Sequence, residues 1–360
     1  VDIHERLFLH SVEVLFSSDP SRYTAFVDLK VVEICAGGGG QALGLEHAGF
    51  EHLAALEIDH HACDTLRLNR PEWKVIEGDL HHFDGTPYQG RTDLLAGGVP
   101  CPPFSIAGKQ LGSDDDRDLF PEALRLAAEI QPRAVMLENV PGFASEKFKG
   151  YRTALIARFR RLGYQVEGRI LNACDYGVPQ LRPRFILVAL RKEDMQFFSW
   201  PAPEERRRLV GDVLADLVGA NGWKGAAAWR NRAYGIAPTV VGGSKKHGGP
   251  DLGPTRARQQ WAALGVDGLG IADEPPSQDF PSEASPRLTV RMVARVQGFP
   301  DAWQFAGRKT ASYRQVGNAF PPPVAEAVGR SIGAAFEGIA EKAFDRQQQR
   351  IAYRPEAAIL

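Results

Sequence analysis

The chain has 360 residues, 44% hydrophobic and 24% charged, with a formal net charge of −1. The size favours two domains and the composition is that of a globular protein. No apolar run approaches the ~18 residues needed to span a bilayer, and the start, Val1 to Arg6, lacks the basic-then-apolar pattern of a secretory signal. Four cysteines, Cys35, Cys63, Cys101 and Cys174, lie far apart with no C-x-x-C pair, which argues against a zinc site or a disulfide framework. A cytoplasmic protein without metal is expected.

Residues 1–27 form an extension in which Leu7, Phe8, Val12, Leu15 and Phe16 suit a short amphipathic helix. From residue 28 strands and helices alternate. The predicted series is strand 29–35, helix 41–48, strand 52–57, helix 62–69, strand 74–76, strand 94–96, helix 121–130 and strand 134–137. Helix 151–162 and strands 164–171 and 184–190 follow. This alternation predicts an α/β fold with a parallel, doubly wound, Rossmann-like sheet. After Arg191, glycines and prolines break the periodicity, predicting a smaller, loop-rich second domain with one helix near 255–264; a further helix spans 323–336.

The run Gly97-Gly98-Val99-Pro100-Cys101-Pro102 follows the apolar segment Asp93 to Ala96. It places Cys101 at a strand's carboxyl end, where ligands bind in open α/β sheets. The glycine turn of Glu33 to Gly40 lies between a strand and a helix, an arrangement that lets a ligand approach the helix N-terminus. Glu57, about 20 positions beyond the turn, suits ribose hydroxyls, and Asp79 an adenine amino group; in order they predict an adenosine-containing cofactor. Glu138 follows an apolar strand on the same edge as Cys101, where burial raises a carboxyl pKa toward proton donation. Arg182 and Arg184 alternate on an extended segment. Between Asn221 and Trp261 stand Lys224, Arg230, Arg232, Lys245, Lys246, Arg256 and Arg258 against Asp251 alone. Charge leaves both a phosphate-binding face and a plain solvated surface open there.

The ordered motifs E-I-C-A-G-G-G-G, L-E-I-D, G-D-L, G-G-V-P-C-P-P-F-S, E-N-V, Q-L-R-P-R, R-L-T-V-R-M-V-A-R-V-Q-G-F-P and Q-V-G-N-A-F-P-P-P together resemble those of the cytosine-5 DNA methyltransferases, from Leu29 to about Arg330. The resemblance implies methyl transfer from S-adenosylmethionine, leaving S-adenosylhomocysteine, to C5 of a cytosine extruded from duplex DNA. It makes Cys101 the nucleophile at C6, with Glu138 at N3 and the amino group, Arg184 at O2, and Arg182 near the cysteine. The implied cofactor pocket comprises Cys35, Ala36, Gly37, Gly39, Gly40, Glu57, Ile58, Asp79, Leu80, Gly98, Pro100, Leu119 and Asn318. Implied DNA contacts are Ser105, Lys109 and Arg117 on a closing loop, and Arg230, Arg232, Ser244, Lys245, Lys246, His247, Arg256 and Arg258 in a target-recognition domain.

The corresponding division is an extension over 1–27, a catalytic and cofactor domain over 28–190, target recognition over 191–302, a return to the catalytic domain over 303–345 and a tail over 346–360. The expected setting is a bacterial restriction-modification system. A monomer is expected there, with a cognate restriction endonuclease as candidate partner. Cys35 stands where many relatives carry Phe, Pro102 where Gln is commoner, and Met292 where Glu is usual. An RNA methyltransferase of the same fold, an inactive DNA-binding scaffold and a nicotinamide oxidoreductase are the competing readings. The last leaves P-C and E-N-V unexplained.

Overall fold

The computed structural model describes residues 29–100, 118–242 and 250–338. The extension at 1–27 and the tail fall outside them. Seven strands form one sheet: β1 (Leu29–Ile34), β2 (Phe50–Glu57), β3 (Val75–Glu77), β4 (Leu94–Gly97), β5 (Ala134–Asn139), β6 (Tyr164–Asn172) and β7 (Pro183–Arg191). Their order is β3-β2-β1-β4-β5-β7-β6. The order reverses direction beside β1, and β1 and β4 are neighbours, so a switch point lies between their carboxyl ends.

The sheet is not wholly parallel. β7 runs antiparallel to β5 and β6, while the pairs among β3, β2, β1, β4 and β5 are parallel. The segment from Ala173 to Arg182 between β6 and β7 carries only a short 3-10 turn, Ala173–Asp175. A parallel crossover needs a dozen or more residues, usually with a helix, so this connection returns the chain antiparallel.

Helices cover both faces. α1 (Gly40–His47) and α2 (His60–Asn69) follow β1 and β2; α3 (Phe120–Ile130) precedes β5 and α4 (Lys149–Arg161) precedes β6. The strongly amphipathic α3 buries Phe120, Ala123, Leu124, Leu126, Ala127 and Ile130 against Val32, Ile34, Leu95 and Val135. The opposite face joins Val31, Phe50 and Ala96 to Val324, Val328 and Ile332 of the C-terminal helix. Beyond the sheet come α5 (Lys192–Met195), α6 (Val210–Val218), α7 (Ala226–Arg232), α8 (Thr255–Ala263), α9 (Val290–Val296), α10 (Lys309–Asn318) and α11 (Pro322–Phe336).

Sequence periodicity finds α8 and α11 but not α6, α7, α9 or α10. These four are short, and tertiary burial sustains them. Trp223, Trp229 and Trp261 pack with Val210, Leu214, Val293 and Val296 in a cluster that continues to Ala36, Leu43 and Leu66. At the start of α9, Thr289 caps the backbone of Met292, and the Met292 sulfur accepts from Thr289 N at 3.4 Å. The thioether thus closes the capping box that a Glu or Gln usually closes, with a weaker acceptor.

Candidate active site

β1 ends in a turn built from left-handed backbone at Cys35 (φ 52°), Gly37 (φ 55°) and Gly39 (φ 86°). Cys35 is the non-glycine residue among the three and lies in a region L side chains rarely adopt. A Cβ on Gly40 would lie 2.2 Å from Phe320 O, so glycine is required where α1 passes the chain leading into α11. Trp303 donates from its indole to Gly38 O at 3.0 Å and covers the turn from outside.

Glu57, at the end of β2, accepts from Gly37 N (2.8 Å), Ile58 N (2.9 Å) and Asp59 N (2.8 Å). One carboxylate therefore locks the glycine turn to the next loop: Oε1 accepts from both Ile58 and Asp59, and Oε2, which accepts from Gly37 alone, retains a lone pair. Asp79 follows β3 and accepts from His81 N and His81 Nδ1, which together hold its pKa below the usual carboxylate range.

These groups enclose a cavity of about 460 Å³. Twelve of the thirteen predicted cofactor residues line it: Cys35, Ala36, Gly37, Gly40, Glu57, Ile58, Asp79, Leu80, Gly98, Pro100, Leu119 and Asn318. Gly39 is not among the lining residues; its Cβ position points at Trp303, 2.5 Å from Cζ2, so a side chain there would collide with that indole. Sequence reasoning missed Gln41, Asp59, Arg314 and Gln315, which also line the cavity. Arg314 and Gln315 belong to the Q-V-G-N-A segment or adjoin it, a signal within reach of the sequence.

Glu138 opens into the same cavity. Its Oε1 lies 2.8 Å from Arg184 Nε, with the two side chains 13% and 12% exposed. β5 and β7 pair antiparallel, placing Glu138 opposite Ile186, two residues beyond Arg184 on β7. Burial raises the Glu138 pKa, and the charges of Arg184 and Arg182 oppose that rise. Gly98 faces this carboxylate: a Cβ there would stand 3.4 Å from Glu138 Oε2.

Asn139, absent from the predicted site, fixes the approach to Cys101. Its Nδ2 donates to Val99 O at 2.9 Å and its Oδ1 accepts from Val140 N at 2.8 Å. The E-N-V motif therefore supplies both a carboxyl and a clamp on the segment that leads into the cysteine.

Arg182 is almost fully buried, and its two terminal nitrogens donate chiefly to main chain. Nη1 donates to Val240 O (2.5 Å), and Nη2 to Gly317 O (2.7 Å) and Ala319 O (3.0 Å). Gln180 and Gln297 complete this knot: Gln180 Nε2 meets Gln297 Oε1 at 2.5 Å, and Gln297 Nε2 donates to Ala319 O at 2.8 Å. The pair of arginines thus divides, Arg184 to the carboxyl and Arg182 to the scaffold.

Cys101, Ser105, Lys109, Arg117, Ser244, Lys245, Lys246 and His247 lie outside the described residues. Of the remaining DNA candidates, Arg230 is ion-paired with Asp212 (2.8 Å) and Arg232 donates to Ala284 O (3.3 Å). Arg256 and Arg258 stand on α8, Arg256 exposed and Arg258 bonded to Thr255 at 3.4 Å. Among the described residues no cluster of His, Cys, Asp or Glu could hold a metal ion, and no helix is long and apolar enough to cross a membrane.

A glycine turn, two carboxylates in cofactor register and a buried Glu–Arg pair around one cavity at a sheet's switch point define a doubly wound α/β enzyme of the nucleoside-cofactor class. The C-5 cytosine-specific DNA methylase family model matches residues 29–334, and the chain belongs to that family. It is a DNA cytosine-5 methyltransferase of the restriction-modification type.

The chain is 56% identical over 312 residues to Type II methyltransferase M.NaeI of Lentzea aerocolonigenes, covering 86% of this chain and 75% of that protein. It is 56% identical over 310 residues to Type II methyltransferase M.NgoMIV of Neisseria gonorrhoeae, covering 85% and 97%. The fold is also that of the S. pombe Dnmt2 methyltransferase, with TM-score 0.57 and 18% identity over 86% of this chain and 99% of that one.

Proposed function

We propose that this enzyme methylates C5 of an extruded cytosine in a short duplex DNA sequence through a Cys101–C6 adduct. One observation supports the reading above the others: Glu138, ion-paired with Arg184, opens into the same cavity as Glu57 and Asp79. A base-activating carboxyl and an adenosine-type pocket are thereby contiguous.

S-adenosylmethionine, the cofactor that the family and fold imply, supplies an electrophilic methyl group when bound. The lining fits it. Glu57 and Asp79 suit ribose hydroxyls and an adenine amino group, Leu80 and Ile58 offer apolar surface, and the turn at Gly37–Gly40 admits close approach. About 460 Å³ lies within the usual range for small-molecule sites.

The chemistry of this chain follows. The Cys101 thiolate adds to C6, which makes C5 nucleophilic. Burial raises the Glu138 pKa and so favours its protonated form, which gives its proton to N3 as the adduct forms. Arg184 holds Glu138 in orientation and donates to O2. Asn139 fixes the backbone before Cys101. After methyl transfer a base removes the C5 proton and the thiolate departs.

Residues 191–302 serve as the target-recognition part, with the basic segment around Lys245 and Lys246 meeting phosphate and base edges. A cognate endonuclease is the expected partner in the cell. Tritiated methyl transfer to duplex DNA and to transfer RNA tests the substrate; activity on RNA alone would sink the reading. Bisulfite sequencing of plasmid from an expressing host then reports the methylated sequence.

A further inference from the structure

Among the described residues lining the cofactor cavity, four are carboxylates, Glu57, Asp59, Asp79 and Glu138, and one is a cation, Arg314. Arg314 stands on α10 with its side chain 22% exposed. Its one ionic partner among the described residues is Asp59, with Nη2 to Oδ2 at 3.7 Å, a separation too long for a hydrogen bond. Asp59 is committed to α2, where its Oδ1 accepts from His61 N and Ala62 N.

The neighbouring residue fixes where α10 runs. A Cβ on Gly38 would lie 3.1 Å from Gln315 Cβ, so the helix crosses the glycine turn. Arg314 reaches from there toward Asp59, two positions beyond Glu57. A partly buried guanidinium with no hydrogen-bonded acceptor among the described residues is a prepared site for a planar, two-oxygen anion.

S-adenosylmethionine carries one carboxylate beside two positive groups, the sulfonium and the ammonium. Four acids and one arginine complement that pattern. We propose that Arg314 binds the α-carboxylate of the cofactor's amino-acid end. The inference rests on the reading of this cavity as the S-adenosylmethionine site.

The test compares two ligands on the full chain without DNA by calorimetry. S-adenosylhomocysteine has the carboxylate; 5′-methylthioadenosine keeps the adenosine and thioether but lacks the amino-acid end. Arg314→Ala is expected to weaken S-adenosylhomocysteine about tenfold or more, the scale of a charge-assisted pair, and to leave methylthioadenosine within about twofold. Arg314→Lys, which keeps the charge and loses the fork, is expected to recover part of the loss. Equal weakening of both ligands in both variants overturns the assignment, as does unchanged binding of both. Loss of duplex affinity with unchanged S-adenosylhomocysteine binding overturns it in favour of a DNA phosphate contact. A wild-type chain that binds neither compound defeats the cofactor reading itself, and this proposal with it.

Discussion

Glu138 meets two opposed influences. Burial favours its neutral form, while Arg184 at 2.8 Å favours the charged one, and burial prevails. In its proposed role as proton donor it must be protonated to act, so turnover is expected to fall as pH rises through its pKa. Arg184→Gln removes the charge that restrains this pKa. The alkaline limb of the kcat profile is therefore expected to move upward while kcat itself drops; a limb that stays fixed or moves down would refute the pairing. Glu138→Gln keeps the shape and removes the proton, with an expected loss of roughly 10²–10⁴-fold in kcat and S-adenosylhomocysteine affinity held. Cys101→Ser is expected to abolish methyl transfer yet still shift duplex DNA in a gel. Near-normal turnover in that variant would exclude the adduct.

Elements, more than single side chains, bring these groups together. α1 and α11 approach at Gly44, where a Cβ would stand 2.3 Å from Pro322 O and 2.6 Å from Ala325 Cβ. Gly44→Ala must push the helices apart, at a cost of about 1–3 kcal/mol, the usual range for overpacking; an unchanged urea midpoint would show that the contact is dispensable. At the other edge, Asn139 ties β5 to the residues before Cys101. Asn139→Ala leaves Val99 O without its donor. The expected signature is a lower kcat with cofactor affinity intact, measured by single-turnover methylation against calorimetry. Reduced binding of S-adenosylhomocysteine in that variant would mean that the clamp serves the cavity instead.

Across the whole molecule, the knot of Arg182, Gln180 and Gln297 joins parts far apart in sequence. Arg182 reaches Gly317 O across 135 residues and Val240 O across 58. It thereby couples the lead into β7, the loop-rich segment and the end of α10. Burial and the nearby Arg184 press the Arg182 guanidinium toward its neutral form, so each carbonyl it meets offsets that cost. Arg182→Met takes the guanidinium donor from Val240 O and Gly317 O, while Ala319 O keeps Gln297 Nε2, and is expected to destabilise the protein by about 3 kcal/mol or more, seen as a lower midpoint in urea. A variant of wild-type stability with collapsed turnover would instead place Arg182 in the chemistry.

The sequence by itself determined the motifs to which the chemistry is proposed to belong, and their order. The glycine turn, the acids at 57 and 79, Gly98 to Pro102 and Glu138 are marked by short motifs at strand ends, and apolar runs fix most strands within a residue or two. Such features are local, and a few consecutive residues encode them. Tertiary structure alone decided the reversal of β7, the use of Gly39 for Trp303, the division between Arg182 and Arg184, the clamp at Asn139 and the four short helices around the buried tryptophans. Each depends on partners distant in the chain, and neither periodicity nor composition carries the identity of such partners.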